Sequence, residues 1–382
     1  MRLQVNVQKL NKRWLIPLNL PDRANIAGEV HFGFTFEGVE VDITFIPNPT
    51  LGKWYKDRDG YFYWGGGVID VSGGFELAES TGSETAFIEA PTTAIEISKL
   101  GWGLKMLHIQ EFWEQAGNMG NDINIAILDT GISSSHPDFD YSTMKHFNVL
   151  DGSKNTEDSD GHGTHVAGIA AGQGKEIFGS APNANYIIIK VAEKVGTWKI
   201  EDVIKGIEEA INLGADIISI SGEFTRFNSQ LNALHQGVIS ANQKGIIIVG
   251  SAGNNFSPNP TDFYPAAFDE CISIGSIKED KTRADDSSLS TKLDLVSPGQ
   301  NIKSTWIGQA YKVVSGTSQA TPLITGIIAV LKSYARKEKQ KELSPSEVYI
   351  LLTKTADDAG VSGLDPAYGF GIINPSNALA SI

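Results

Sequence analysis

The chain has 382 residues, of which 41% are hydrophobic and 20% charged, a composition typical of a folded globular protein with material for one large domain and a small one. With a formal net charge of −14 and no basic run, it lacks the clustered Lys and Arg by which proteins bind nucleic acid or anionic membranes. No apolar run reaches the length of a membrane span, so we expect neither a nucleic acid nor a membrane as partner.

A single cysteine, Cys271, cannot form an internal disulfide, so the fold does not depend on an oxidising compartment. Residues 1–20 are interrupted by charged side chains and contain no continuous apolar segment of the kind found in secretory signals. Together these features predict a cytoplasmic protein. Residues 270–274 have the pattern of a strand, which predicts a buried, inert thiol.

Residues 1–98 predict a small β-rich domain. Apolar and polar residues alternate over 29–36 and 39–46, as in strands, and no segment has the period of a helix. The aromatic run 54–67 fits the core of such a domain, and a loop that contacts a ligand is the alternative. A joint containing Thr, Ser and Pro near 89–98 separates this domain from the rest of the chain. We expect an accessory domain that has a protein partner of its own.

Residues 99–382 alternate between strand and helix patterns. Apolar runs predict buried strands at 122–128, 186–191, 216–221 and 245–250, and helix-period segments predict helices at 163–171, 201–213 and 229–243. Such alternation indicates an α/β fold with a mostly parallel sheet covered by helices on both faces. Further on, Ser344-Pro-Ser-Glu347 is a capping box that opens a helix through about Thr355.

Polar residues follow these strands where ligands bind in open α/β sheets, beyond the carboxyl ends. Asp129 ends the first strand, Asn254 follows the fourth, and His162 stands between glycines. Ser318 lies in the first turn of a helix that is apolar on almost every face, where free N–H groups and the helix dipole stabilise negative charge. A carboxylate, a histidine, a serine and an amide are the groups that acyl transfer requires.

Other interpretations of these residues compete with acyl transfer. Ser318 could merely cap a core helix, and we expect His165, one turn after His162, to be a packed structural histidine rather than a second base. The order Asp, His, Ser excludes an α/β-hydrolase, which needs Ser, Asp, His and a glycine where this chain has Ala320. No His-Glu-x-x-His motif or Cys/His cluster supports a metal hydrolase.

Three motifs resemble, in order, the signatures of the subtilisin-like serine peptidases, or subtilases: Asp129-Thr-Gly, Asp160-Gly-His-Gly-Thr-His and Gly316-Thr-Ser-Gln-Ala-Thr-Pro. The resemblance extends from about Trp102 to the C-terminus and does not cover residues 1–98. It implies a subtilisin-like fold and a serine endopeptidase that hydrolyses peptide bonds in peptide or protein substrates. The rival hypothesis is a pseudo-peptidase that keeps the fold as a binding scaffold.

The same resemblance implies a role for each site residue. Ser318 would be the nucleophile, His162 the general base, Asp129 the orienting acid and Asn254 an oxyanion donor. The substrate backbone would pair with Ser219, Ile220, Ser221 and Gly222, and the walls of the primary specificity pocket would be Ser251, Ala252 and Gly253.

Phe263 would form the floor of that pocket, where the family usually carries a small residue. This predicts a preference for small side chains at P1, the substrate residue whose carbonyl is attacked. The alternative is that the ring turns outward and packs on Phe256 or Pro260.

The chain departs from the family pattern at several positions. Ser221 places a hydroxymethyl group where the family has glycine, and Leu323 replaces a histidine of the serine motif. The loop 172–180 lacks the Asn-rich calcium-ligating pattern of the secreted enzymes despite Asp138, so we name no metal ligand, and we expect no cofactor. The family's usual propeptide is a small α/β domain, whereas residues 1–98 lack helices. This domain is therefore either propeptide-like or a permanent accessory domain.

Overall fold

The computed structural model describes residues 96–225, 229–255 and 257–382, together with seven strands before residue 96. The chain forms two compact units, Met1–Pro91 and Thr92–Ile382. Parts of the sequence predictions lie outside the described residues: the joint from 89 to 95, residues 32–34 and 42–46 of the predicted strands, and half of the aromatic run, residues 58–61 and 65–67. Phe256 lies outside them as well.

The seven strands of the first unit form one antiparallel sheet with the order β3-β2-β6-β5-β4-β1-β7. Their bounds are β1 Arg2–Val5, β2 Lys9–Arg13, β3 Ile26–His31, β4 Thr35–Val41, β5 Trp54–Asp57, β6 Phe62–Trp64 and β7 Val68–Asp70. The function of this unit remains a prediction.

The second unit is built on a parallel sheet of seven strands with the order β14-β13-β12-β11-β8-β10-β9. These strands are β8 Asn124–Asp129, β9 Lys145–Asn148, β10 Asn185–Lys190, β11 Ile217–Ile220, β12 Ile247–Ser251, β13 Cys271–Ile277 and β14 Leu295–Pro298. An antiparallel hairpin follows, formed by β15 Ile302–Trp306 and β16 Ala310–Val314. The four predicted strands are confirmed with small shifts of their ends, and Cys271 is buried in a strand as expected.

Helices cover both faces of this sheet. They are α1 Trp102–Met106, α2 Ile109–Ala116, α3 His162–Ala171, α4 Ile200–Asn212, α5 Ser229–Gln243, α6 Thr317–Glu338, α7 Pro345–Thr355 and α8 Pro375–Ala380. Along β8, Ile125 and Ile127 join the core that includes α3 and α6, whereas Ala126 and Leu128 join the core that includes α4 and α5. This alternation confirms the predicted α/β fold with two helical layers.

The helices α6 and α7 begin where the sequence predicts. Ser344 accepts a hydrogen bond from the Glu347 N–H at 3.3 Å, and the Glu347 carboxylate accepts one from the Ser344 N–H at 3.0 Å, which completes the predicted capping box of α7. Ser318 is the second residue of α6, which is buried along most of its length. None of the helices in the described part of the chain is both long and apolar enough to cross a membrane.

Candidate active site

Asp129 and His162 form a hydrogen-bonded pair at the carboxyl edge of the sheet. Asp129 is the last residue of β8 and His162 the first residue of α3, and His162 Nδ1 lies 2.7 Å from Asp129 Oδ1. The Thr130 N–H donates to the same oxygen at 2.7 Å, which fixes the carboxylate. Since Nδ1 is engaged by this buried carboxylate, the proton-accepting position of a neutral His162 is Nε2.

The electrostatic surroundings of His162 favour its protonated form. Burial alone would lower its pKa, but the charge and hydrogen bond of Asp129, with smaller contributions from Asp160 and Asp158, raise the pKa above the ordinary histidine value. The imidazolium that forms when a base accepts a proton is therefore stabilised here.

Asp158 organises the loop that leads into α3. Its carboxylate is buried and accepts hydrogen bonds from the Gly161 N–H at 3.0 Å, the Thr164 N–H at 2.9 Å and the Thr130 hydroxyl at 3.0 Å. Burial would raise the pKa of this carboxyl, but these donors lower it. Sequence reasoning gave Asp158 no role, although an aspartate shortly before a helix start is a recognisable signal.

Ser318 and Ser221 exchange a reciprocal pair of hydrogen bonds. Ser318 Oγ donates to the Ser221 carbonyl at 3.2 Å, and Ser221 Oγ donates to the Ser318 carbonyl at 3.2 Å. The Ser318 carbonyl is free to accept because Pro322, four residues later in α6, has no N–H to donate to it. The Ser221 hydroxymethyl group therefore points to the start of α6 and is buried, which explains how the chain accommodates it.

No hydrogen bond joins Ser318 to His162 in the described part of the chain. For Ser318 to pass its proton to His162, its hydroxyl would have to exchange the Ser221 carbonyl for His162 as its acceptor, an adjustment of the kind that catalytic hydrogen bonds commonly make on substrate binding. The two residues start neighbouring helices, since α3 packs against α6.

Asn254 follows β12 and is anchored to the residue before the serine. Its Oδ1 accepts hydrogen bonds from the Thr317 N–H at 2.9 Å and the Thr317 hydroxyl at 3.3 Å. Its Nδ2 group has no hydrogen-bond partner among the described residues, and the residue is exposed. An anchored side chain with a free N–H donor is what an oxyanion site needs.

The predicted substrate segments lie side by side. Ile220 of β11 pairs with Gly250 of β12 in parallel register, so the two segments leave the sheet from neighbouring strand ends. Two aromatic rings lie directly on glycines of these segments: a Cβ atom on Gly222 would come within 2.5 Å of the Trp198 ring, and one on Gly253 within 2.3 Å of the Phe263 ring. Sequence reasoning missed Trp198, which lies in the loop after β10.

Phe263 is only 6% exposed. Its ring lies against the α carbon of Gly253 rather than in solvent, beside a segment predicted to be a pocket wall. The following peptide bond, Tyr264–Pro265, is cis.

His165 is a packed histidine, as expected. It is fully buried, and its Nε2 lies 3.2 Å from the Ile302 carbonyl and 3.1 Å from the Lys312 carbonyl, both in the hairpin β15–β16. Burial lowers its pKa to about 4, so the ring is neutral and donates from Nε2 near neutral pH.

The surroundings of Asp138 do not fit a calcium ion. Its carboxylate accepts the Lys175 N–H at 2.6 Å, the Glu176 N–H at 3.2 Å and the Tyr311 hydroxyl. A calcium site presents oxygen ligands to the cation, whereas here N–H and O–H donors are directed at the carboxylate. Asp138 thus holds the loop 172–180 and the hairpin together by hydrogen bonds.

With this geometry in place, the comparisons with known proteins are decisive. The sequence model of the subtilase family matches residues 120–371, the region that contains Asp129, His162, Asn254 and Ser318. The chain belongs to the subtilase family. It is a subtilisin-like serine endopeptidase, and the family match covers the parallel sheet described above.

Several curated subtilases are similar to the chain. The Major intracellular serine protease of Bacillus subtilis (strain 168) is 36% identical over 270 residues, which cover 68% of this chain and 83% of the relative. The Intracellular serine protease of Paenibacillus polymyxa is 34% identical over 276 residues, which cover 70% of this chain and 83% of the relative. Subtilisin DY of Bacillus licheniformis is 34% identical over 277 residues, which cover 72% of this chain and 96% of the relative.

Proposed function

We propose that this subtilase hydrolyses peptide bonds through an acyl-enzyme formed on Ser318. His162 accepts the proton of the Ser318 hydroxyl as it attacks the carbonyl and returns it to the leaving amine, while Asp129 fixes the imidazole tautomer and stabilises the imidazolium. The observation that carries this proposal is the 2.7 Å hydrogen bond between His162 Nδ1 and a buried carboxylate. Water then attacks the ester from the same side, with His162 again acting as base.

The negative charge of the tetrahedral intermediate is stabilised by Asn254 Nδ2 and the Ser318 N–H. The hydrogen bonds from Thr317 to Asn254 Oδ1 support this role because they hold the amide while leaving its N–H groups available. The Ser318 N–H lies in the first turn of α6, where it has no partner within the helix.

The substrate backbone adds as a strand along Ser219 to Gly222. Ser251, Ala252 and Gly253 form the pocket walls, and the ring of Phe263 limits the depth of the pocket. Its burial against Gly253 supports this arrangement. The enzyme then prefers small P1 side chains over Phe.

Reaction with a fluorophosphonate, read as a mass increase of the intact protein, tests the mechanism. Wild-type protein should be labelled at Ser318, whereas Ser318→Ala and His162→Ala should lose hydrolysis of peptides. In subtilisin, loss of either residue lowers turnover about a millionfold, and loss of the asparagine lowers it roughly a hundred- to a thousandfold. We expect the same order for Asn254→Ala. Unchanged activity in folded Ser318→Ala would exclude the mechanism.

We further propose that the enzyme acts in the cytoplasm and that residues 1–98 recognise a protein partner. The printed names of two relatives, which describe intracellular serine proteases, support the location. The absence of residues 1–98 from the matched region supports a separate role for them.

A further inference from the structure

Lys190, the last residue of β10, is a buried lysine that the proposed mechanism does not use. It is only 3% exposed, and it pairs in parallel register with Asp129, the last residue of β8. Burying an ammonium group is costly unless its N–H donors all find acceptors. Sequence reasoning assigned Lys190 no role, because a lysine that ends an apolar strand commonly marks the protein surface.

The ammonium group of Lys190 has three acceptors. Its Nζ donates to the Thr130 carbonyl at 2.9 Å and to the Glu157 carbonyl at 3.1 Å, and it lies 3.1 Å from Glu193 Oε2. These acceptors belong to three separate segments: the turn after β8, the loop before α3 and the loop after β10. Lys190 therefore fastens together the segments that hold the carboxylate and the histidine of the proposed catalytic pair.

Thr130 connects this ammonium group to both members of the pair. Its N–H donates to Asp129 Oδ1 at 2.7 Å, and its hydroxyl oxygen accepts the Gly163 N–H at 2.8 Å in the first turn of α3. Its carbonyl is the acceptor of Lys190, so three groups of one residue fix the lysine, the carboxylate and the helix start. A displacement of Thr130 would therefore move the Asp129 carboxylate relative to the His162 ring.

The charge of Lys190 opposes that of its neighbours. Carboxylates lie around Lys190 and His162 in the described part of the chain: Asp129, Asp151, Asp158, Asp160 and Glu193. Glu193 forms the ion pair with the ammonium group, but its side chain is 63% exposed, so water screens its charge more than that of the buried lysine. The positive charge of Lys190 is therefore only partly offset, and it disfavours protonation of His162.

We infer that Lys190 is a positioning residue for the catalytic pair. Through Thr130 it holds Asp129 at hydrogen-bonding distance from His162, and its charge keeps His162 neutral, and so able to act as a base, at lower pH. The inference rests on the proposed mechanism and adds to it a residue that acts without touching the substrate.

The test compares Lys190→Met with Lys332→Met, which both keep an unbranched stem and lose the ammonium group. Lys332 is the matched control because it is equally buried, at 1% exposed, and its Nζ donates to the Leu343 carbonyl at 2.9 Å. It also forms an ion pair with Glu342. It lies about 20 Å along α6 from Ser318, so any effect that follows from loss of a buried lysine alone appears in both variants.

Lys190→Met alone should lower kcat for a peptide substrate, by at least about tenfold with KM changed less than about twofold, because a misplaced pair impairs the transition state and not substrate binding. The acid limb of its kcat/KM profile should move to higher pH, since the loss of a positive charge stabilises the imidazolium of His162. Lys332→Met should leave both kcat and the limb in place.

Glu193→Gln covers the case in which Lys190→Met does not fold, because it changes an exposed side chain and keeps the ammonium group. Removing this anion should move the acid limb to lower pH. A folded Lys190→Met variant with wild-type kcat or an unmoved limb, or an equal effect in Lys332→Met, would overturn the inference. So would an unmoved limb in Glu193→Gln if Lys190→Met is insoluble. Fluorophosphonate labelling of wild-type Ser318 tests the mechanism separately, so labelled wild type with no effect of Lys190 refutes this inference alone.

Discussion

In the proposed mechanism, the charge state of His162 sets the pH at which the enzyme works. As a general base His162 must be neutral, so its raised pKa should place the loss of kcat/KM on the acid side above the ordinary histidine value of about 6.5. The carboxylate of Asp160 contributes to this rise in pKa and accepts a hydrogen bond from the backbone N–H of His162 at 3.2 Å.

Asp160→Asn should therefore move the acid limb of the kcat/KM profile to lower pH, because removing a negative charge destabilises the imidazolium. Glu208→Gln, at an exposed position on α4, changes the net charge equally and should leave the limb in place. The profile is measured with a substrate whose P1 side chain does not titrate. A limb that does not move in Asp160→Asn would show that this carboxylate does not act on His162.

In the proposed specificity pocket, Phe263 limits the size of the P1 side chain. We expect Phe263→Gly to raise kcat/KM for a P1 Phe substrate by at least about tenfold, the scale of a few methylene groups in an apolar pocket, with little change for P1 Ala. The variant should also lose stability, by about 3 kcal/mol, because a buried ring is removed. If wild-type enzyme already prefers Phe or Leu at P1, the ring does not limit the pocket.

The hairpin β15–β16 and the loop 172–180 are joined by hydrogen bonds to Asp138. Three donors converge on one buried carboxylate, so removing it leaves two N–H groups and the Tyr311 hydroxyl without their acceptor. These hydrogen bonds tie the loop to the hairpin.

Asp138→Ala should lower the free energy of unfolding by about 3 kcal/mol, measured by urea denaturation of Ser318→Ala protein to avoid self-digestion. Asp140→Ala, an exposed aspartate two residues away, should cost less than about 1 kcal/mol. Chelation with EDTA should leave the melting temperature unchanged. A large drop on chelation would mean that a cation stabilises the protein after all.

The elements also show what sequence could and could not predict. Long apolar runs identified β8, β10, β11 and β12. The strands β9 and β14 lie at the two edges of the sheet, where β9 is largely polar and β14 ends in Pro298, so neither has such a run. Motifs around Asp129, His162 and Ser318 are contiguous in sequence and could be recognised. The hydroxyl orientation of Ser221 depends on Pro322, and the contact of Trp198 with Gly222 joins separate parts of the chain, so both needed the folded chain.

The second unit contains the whole parallel sheet, its two helical layers and the proposed active site. The core clusters on both faces of the sheet are formed by residues from 100 onward. The described core therefore comes from one stretch of the chain, as in a domain that folds alone.

Residues 99–382 expressed alone should therefore fold. We expect one cooperative thermal transition and fluorophosphonate labelling equal to that of the full chain, and proteolysis of the full chain should concentrate between 89 and 100. An insoluble or unlabelled fragment would instead indicate that residues 1–98 act as a folding chaperone, in the manner of a propeptide.

The two rings that lie on Gly222 and Gly253 also constrain how this cleft can change over evolutionary time. A side chain at Gly222 overlaps the Trp198 ring, so the ring must be replaced by a smaller residue before this glycine can be substituted. Gly253 carries a second constraint beside the Phe263 ring, because its φ of +96° strains any side chain there. Trp198 and Gly222 are therefore epistatic: replacing the ring permits substitution of the glycine, whereas a change of the glycine alone creates a clash. Position 253 should remain glycine whichever residue stands at 263.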